Sequence, residues 1–337
     1  MGILVTGATG RVGANLVRAL ADRGDEVKCL VYPGDPQEPK LEPLDAEVWH
    51  GDLTDTEAVA AAAEGVEYII HAGAVMGEPK AGAENFLDIN VMGTHRLLEA
   101  AVANETRRFV YISSTAIYCV DRVSVHPTPE DAPLDPLRLY GASKKMAEAL
   151  VQSYAREHEL PYVILRPGDI RACDEVLNGW TVRSTAGIYR RGARNPLMHY
   201  YVDDDPEPWR EIEALAEAKG SALCAATDAN GDPWERHSCD VRDVVGASLA
   251  ALESDAALGG VFNVAAPEAM PQPELTEYLA SETGDEVVSV ATPTRRRVNC
   301  SVEKIAATFY QPIYGWRRMI DDALALKAGE DIGVIPT

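Results

Sequence analysis

The sequence predicts an α/β fold, a doubly wound parallel sheet with a smaller, discontinuous domain beside it. Three observations predict it. Apolar strand-like runs alternate with helix-like stretches through the first half of the chain. A glycine-rich turn joins the first strand to the first helix. The first strand, Ile3-Leu4-Val5, is continuously apolar, as a strand covered on both faces must be.

The elements follow in order. Strands are expected at Ile3–Val5, Val27–Val31, Glu47–Trp49, Tyr68–His71, Arg108–Ile112 and Tyr162–Leu165. Helices are expected between them at Ala14–Arg23, Thr56–Glu64, Asn85–Asn104 and Ser143–Glu159. Right-handed crossovers should connect the strands. After Arg166 the regularity weakens. A helix at Trp209–Lys219, another at Asp240–Leu252 and a returning strand at Val261–Val264 are expected there. The tail, 267–337, is punctuated by proline and reads as short helices. This layout places a dinucleotide-binding domain at 1–168 plus 240–265, and a substrate-binding domain at 169–239 plus 266–337.

Composition bounds the function. Hydrophobic residues make up 46% of 337 residues, enough for a full core. Acidic residues number 53 against 31 basic ones, and the net charge is -22. Such a surface repels nucleic acid and anionic lipid, so neither is expected as a partner. Only eight of the basic residues are lysine, a surface that would suit a salt-adapted host, although an Arg-biased genome gives the same shortage of lysine. No apolar run approaches the roughly 20 residues that cross a bilayer. The start of the chain lacks the layout of a secretory signal, so a cytoplasmic protein is expected. Six cysteines at 29, 119, 173, 224, 239 and 300 form no C-x-x-C pair and no zinc-spaced cluster. Reduced thiols and no metal are expected.

Thr6-Gly7-Ala8-Thr9-Gly10-Arg11-Val12-Gly13 follows the first strand and opens the first helix. Glycines there permit a tight turn and a close approach of backbone to a pyrophosphate, which the helix N-terminus then faces. Further on, Tyr140 and Lys144 are four residues apart, on one face of a helix. An ammonium beside a phenol favours the phenolate, so the tyrosine could exchange a proton near neutral pH. Hydride transfer to or from an alcohol carbon needs such a group at the oxygen.

The G-x-x-G-x-x-G spacing with these two residues resembles the extended short-chain dehydrogenase/reductase family, the NAD-dependent epimerases and dehydratases. The resemblance implies a Rossmann-type fold and covers nearly the whole chain outside 171–235. It implies cofactor contacts by Gly7, Thr9, Gly10, Arg11, Val12 and Gly13 in the turn. Tyr32 stands after the second strand, and Asp52 and Leu53 resemble the adenine contact. Ala72, Gly73 and Ala74 leave room for the cofactor, and Asn90 begins an N-x-x-G-T motif. Pro167 belongs to Leu165-Arg166-Pro167-Gly168. Tyr140 and Lys144 would also touch the cofactor.

Ser113-Ser114-Thr115-Ala116-Ile117-Tyr118 resembles the family segment that supplies the third catalytic hydroxyl. It maps to Ser114, with Thr115 as second choice. Cys119 replaces the family glycine. The catalytic set is therefore Ser114, Tyr140 and Lys144. Ser114, Thr115, Asp169 and Arg236 are the expected substrate contacts. The cofactor is NAD or NADP, with NAD favoured. The second strand ends without the usual acid or arginine, leaving Asp35 for a ribose, or Arg11 or Lys40 for a phosphate.

Thr115 and Ala116 stand where sugar-nucleotide dehydratases carry an Asp-Glu pair, which argues against that reaction. What is left is oxidoreduction at a secondary alcohol or ketone of a small, carbohydrate-like substrate. The alternative is a nucleotide-sugar epimerase that retains NAD. For it speaks Arg236, where a diphosphate would sit, with Arg183, Arg190, Arg191 and Arg194 nearby in sequence. Against it speaks Asp169, a carboxylate where the family has Asn. A non-catalytic dinucleotide-binding regulator is the third class, and the intact Ser114, Tyr140 and Lys144 argue against it. The resemblance also implies a homodimer, joined through helices at about 85–104 and 141–158.

Overall fold

The computed structural model describes residues 1–76, 84–118, 125–193 and 209–337. Its first half runs β1 (Gly2–Thr6), α1 (Arg11–Asp22), β2 (Glu26–Val31), β3 (Glu47–His50), α2 (Thr56–Ala63), β4 (Tyr68–His71), α3 (Gly93–Ala103), β5 (Arg108–Ile112), α4 (Leu139–His158) and β6 (Tyr162–Pro167). There follow β7 (Asp169–Arg171), α5 (Cys173–Val176), α6 (Val182–Ala193), α7 (Arg210–Lys219), β8 (Leu223–Asp228), β9 (Glu235–Arg236), β10 (Ser238–Asp240), α8 (Val241–Glu253) and β11 (Val261–Val264). The chain closes with β12 (Met270–Pro271), α9 (Gln272–Thr283), β13 (Val287–Thr292), α10 (Glu303–Thr308) and α11 (Trp316–Lys327).

Seven strands form one parallel sheet in the order β3-β2-β1-β4-β5-β6-β11. Side chains alternate across it, as the strand period of two requires. Ile3 and Val5 pack on one face with Leu16, Val17 and Val244 of α1 and α8. Leu4 packs on the other with Val59, Leu97, Leu98 and Val151 of α2, α3 and α4. The strand order reverses between β1 and β4, and the crevice beyond the strand ends opens at such a point. The late segments gather around Trp180, Met270, Leu275, Trp316 and Met319, and around Tyr189, Trp209 and Trp234. No described helix is long and apolar enough to cross a membrane.

The structure corrects several boundaries. The helix expected at Asn85–Asn104 is a π-helical stretch, Phe86–Met92, that runs into α3. The wider turn carries Asn90, whose side chain pairs with both backbone groups of Val75 at 2.8 and 3.1 Å. Helix α4 begins at Leu139, four residues before the expected Ser143. Its N-cap, Arg138, makes no side-chain cap, so the sequence carries no starting signal there. Strands β8 and β13 pair in parallel where only irregular chain or short helices were expected. β8, Leu-Cys-Ala-Ala-Thr-Asp, has weak strand propensity, whereas β13, Val-Val-Ser-Val-Ala-Thr, is rich in β-branched residues, and the pairing of the two fixes both.

Beneath α4 lies a buried ion pair. Arg166 on β6 makes a bidentate contact with Glu148, at 2.9 and 2.7 Å, with both side chains 4% exposed. Its remaining donors reach the Tyr118 hydroxyl at 2.6 Å and the Glu130 carbonyl at 2.9 Å. Satisfied on all sides, such a pair is tolerated, but removing one partner strands a charge. Glu148→Leu should lower the unfolding free energy by about 3–5 kcal/mol in denaturant titrations. A loss under about 1 kcal/mol would mean the pair holds α4 to β6 far less than its burial implies.

Candidate active site

The turn after β1 is shaped by two close approaches. Gly7 has φ +65°, and a Cβ on it would lie 2.7 Å from the backbone of Gly73 at the end of β4. A Cβ on Gly13 would lie 1.9 Å from the Gly7 carbonyl oxygen. Helix α1 therefore starts directly over the sheet ends. Its N-cap, Gly10, makes no side-chain cap, and no acidic residue stands in its first turn. The first amides of α1 are left to an anion from outside.

A cavity of about 400 Å³ opens at this point. Gly7, Thr9, Gly10, Arg11, Val12 and Gly13 form one wall. Ala72 and Ala74 form its floor, and Pro167, Gly168 and Asp169 its far side. Ser114, Tyr140 and Lys144 enter from the end of β5 and from α4. A second cavity of about 260 Å³ continues past Thr9 and Ala74. Tyr32, Asp52, Leu53 and Gly73 line it. The two together suit a long molecule with a doubly negative middle. The Nε of Arg11 and the hydroxyl of Ser113, both of residues on the first cavity, are buried with no partner among the described residues. The site thus fits a dinucleotide on its own geometry.

Asp35 stands where the cavities meet. One carboxylate oxygen accepts from the Thr9 hydroxyl at 2.6 Å, the other from the Gln37 amide at 2.9 Å. The position four residues past β2 is why the end of that strand alone showed no acid. The candidates for a phosphate are engaged elsewhere: Arg11 with Glu175, and Lys40 with the Gln37 side chain at 2.7 Å. Asp52 accepts from the Thr54 amide at 2.9 Å, which fixes its loop.

Tyr140 sits in the first turn of α4 because Gly141 lets that turn approach the Ala116 carbonyl. A Cβ there would come within 2.5 Å of the oxygen. Burial pushes the Tyr140 phenol above its usual range, and a hydrogen bond with Ser114 works the other way. This departs from the expectation that Lys144 lowers it. The lysine is spent elsewhere: Nζ donates to the Ile112 carbonyl at 2.8 Å and lies 4.9 Å from the Tyr111 ring centre. Burial pushes Lys144 itself down to about 7, against a smaller opposing pull from Glu148.

Three expected contacts do not line either cavity. Asn90 is 1% exposed, its amide committed to Val75 and Ser143. Thr115 is 8% exposed in a 3-10 turn, Thr115–Ile117. Arg236 is 5% exposed, lies 4.5 Å over the Trp180 ring and donates to the Gly179 carbonyl at 3.0 Å. No carboxylate is hydrogen-bonded to it among the described residues, although the charge of Asp169 acts on it, and its Nε is unpaired there. Burial first, and then Arg296, hold it down at about 9. Asp169 is tied to Arg171 at 2.7 Å, so its charge on the cavity wall is answered. Cys119, Arg194 and the side chain of Arg191 lie outside the described residues. Ile112, Gly168 and Ile170 also line the site. Gly168 stood in the Leu165-Arg166-Pro167-Gly168 motif and Ile112 closed an expected strand, but none of the three carries a polar side chain that would mark it as a contact.

The depressed Lys144 has a consequence for stability. The unfolded chain keeps this proton to about pH 10, while the folded chain releases it near 7. Between those values the unfolded state binds more protons, so stability rises with pH. The contribution is about 1.4 kcal/mol per pH unit. Between pH 7.5 and 9.5 the wild type should therefore gain about 2.5 kcal/mol more than Lys144→Met, measured by denaturant unfolding. Parallel pH profiles would contradict the burial of a titrating lysine.

Known proteins share this architecture. The model of the NAD dependent epimerase/dehydratase family matches residues 3–171, half of the chain. The low-salt glycan biosynthesis protein Agl12 of Haloferax volcanii is 34% identical over 174 residues, which cover 49% of this chain and 56% of that protein. The chain spans about half or less of the length of several curated relatives that it matches. The 2-alkyl-3-oxoalkanoate reductase of Stenotrophomonas maltophilia is 30% identical over 271 residues, covering 75% of this chain and 76% of the other. A short-chain dehydrogenase/reductase superfamily protein from Agrobacterium tumefaciens, crystallised with bound NAD, aligns with a TM-score of 0.79 at 30% identity. That alignment covers 97% of this chain and 99% of the other. With the glycine turn, the switch-point cavity and the Ser-Tyr-Lys group all in place, the chain belongs to the NAD-dependent epimerase/dehydratase family, as an NAD(P)-dependent enzyme of the extended short-chain dehydrogenase/reductase type.

Proposed function

We propose that the chain is an NAD(P)-dependent oxidoreductase for a secondary alcohol or ketone of a small, carbohydrate-like substrate. The observation that carries this reading is one shared cavity. Ser114, Tyr140 and Lys144 line the same space as the glycine turn. The dinucleotide, when bound, accepts or supplies the hydride. The chain's own groups handle the oxygen and its proton. Ser114 and Tyr140 hydrogen-bond the substrate oxygen and orient it. The Tyr140 phenol, held protonated by burial, gives its proton to a carbonyl oxygen, or receives the alcohol proton after losing its own. Lys144 holds the ribose and supplies positive charge when protonated.

The reductase among the relatives, matched over three quarters of both chains, supports oxidoreduction. A nucleotide-sugar epimerase that retains NAD is the second reading. Arg236 favours it, because a buried guanidinium with no carboxylate hydrogen-bonded to it among the described residues suits a phosphate or another anion, and Asp169, whose charge acts on it, lines the cavity. The Asp169–Arg171 pair removes the objection that a bare carboxylate would repel that anion.

Tyr140→Phe should lower turnover at least about 100-fold while NADH affinity stays within about two-fold. Near-normal turnover would remove Tyr140 from the chemistry. Mass spectrometry of dinucleotide released from denatured protein separates the two readings. Near-stoichiometric NAD speaks for the epimerase, and an empty protein for a dehydrogenase that exchanges cofactor at each turnover.

Asp35 is proposed to accept from the adenosine ribose, so NAD is favoured over NADP, whose 2′-phosphate would meet a carboxylate. Asp35→Asn should shift the ratio of NADH to NADPH dissociation constants by about ten-fold or more toward NADPH, read by fluorescence titration. An unchanged ratio would place the selectivity elsewhere.

A further inference from the structure

Under the cavity floor runs a line of buried polar groups that the roles above leave unused. Strand register sets Thr6 of β1 beside His71 of β4. His71 is fully buried. Its Nδ1 lies 2.7 Å from the Thr6 hydroxyl, and its Nε2 lies 3.0 Å from the Thr94 hydroxyl. The single proton of the Thr94 hydroxyl goes to the Asn90 carbonyl, at 2.7 Å. Thr94 can therefore only accept from the imidazole. That puts the ring proton on Nε2 and leaves Nδ1 to accept from Thr6. The Thr6 oxygen in turn accepts from the Gly73 amide at 3.2 Å. Burial, and then the charge of Lys144, keep the ring neutral, with its pKa pushed down to about 3.

Both ends of this line reach the active site. Gly73 is the backbone against which Gly7 packs, so what holds Gly73 holds the dinucleotide turn. At the other end the Asn90 side chain donates to the Ser143 hydroxyl at 2.9 Å. Ser143 donates to the Tyr140 carbonyl at 2.8 Å. We propose that His71 is a positioning residue. Through Thr6 on one side, and Thr94, Asn90 and Ser143 on the other, it fixes the spacing between the dinucleotide turn and the helix of Tyr140 and Lys144. The proposal rests on the dinucleotide reading of the cavity. A dinucleotide held both by the turn and by Lys144 spans the two, so its affinity reports their separation.

The test breaks the line away from the cavity. Thr94→Val keeps the side-chain shape and removes both hydrogen bonds, and Ser143→Ala removes only the last link. NADH affinity by fluorescence titration and the thermal midpoint without nucleotide are measured, each in the wild-type and Lys144→Met backgrounds. In the wild-type background Thr94→Val should weaken NADH by about ten-fold, and Ser143→Ala by about three-fold or more. With Lys144→Met the same changes should cost under about two-fold, because one anchor has no spacing to miss. Equal losses in both backgrounds, or a lowered thermal midpoint with unchanged affinity, would overturn the proposal. Ser143→Ala decides alone if Thr94→Val does not fold. Imidazole nitrogen shifts, assigned with His71→Gln, give a second readout. A neutral Nε2–H ring at pH 6 is expected, and an Nδ1–H or protonated ring would refute the line. A wild type that binds neither NADH nor NADPH would instead defeat the cofactor reading, with the nitrogen shifts still deciding the state of the imidazole.

Discussion

The contact between two stretches of bare backbone, Gly7 against Gly73, governs how everything else at this site is placed. No side chain fits between them, and a Cβ on Gly13 would strike the Gly7 carbonyl. With the three glycines in place, α1 starts over the point where the strand order reverses. Its uncapped amides then point into the crevice instead of at solvent. Helix α4 reaches the same crevice from the far side only because Gly141 meets the Ala116 carbonyl closely. The chemistry is thus assembled by removing side chains at a few positions as much as by adding them.

Buried charge is handled in two ways. Arg166 lies beneath α4 and has a carboxylate, a phenol and a carbonyl around it. Lys144 lines the cavity, and among the described residues it meets a carbonyl and an aromatic ring, with a weaker pull from Glu148. Arg236 has the same kind of shell, a carbonyl and the Trp180 ring, and keeps a donor unpaired. Burying a cation without a counter-charge is costly, so a fold tolerates it where a ligand supplies the missing partner. Among the described residues the shells of Lys144 and Arg236 are incomplete where that of Arg166 is closed.

The sequence made the parallel sheet and the glycine turn legible because both rest on local pattern. Continuous apolar runs and a turn that needs glycine leave marks at fixed spacing. Ser114, Tyr140 and Lys144 could be named for the same reason, and they do meet in one cavity. What stayed hidden depends on long-range packing. The early start of α4 has no cap residue to announce it. Strands β8 and β13 hold each other through a pairing between residues some sixty apart. Asn90 was read as a cofactor contact, yet its amide is used on Val75 and Ser143, because a π-helical turn rotates it inward. Nothing in a single sequence reports which way such a turn faces.

The same limit applies to the proton chemistry. Four-residue spacing suggests that Lys144 charges Tyr140, but spacing says nothing about depth. At the depth observed, desolvation acts on both groups, raising the phenol and lowering the ammonium. Both shifts favour the neutral pair, with the proton on the tyrosine. In the proposed oxidoreductase reading, such a site is set to give a proton to a carbonyl oxygen, the direction of reduction. To run in the direction of oxidation the phenol must first lose its proton. A positive charge arriving beside it with the oxidised nicotinamide ring would ease that loss, and the uncharged reduced ring would not. The redox state of the cofactor and the protonation of Tyr140 would then be tied by electrostatics, with no moving part required.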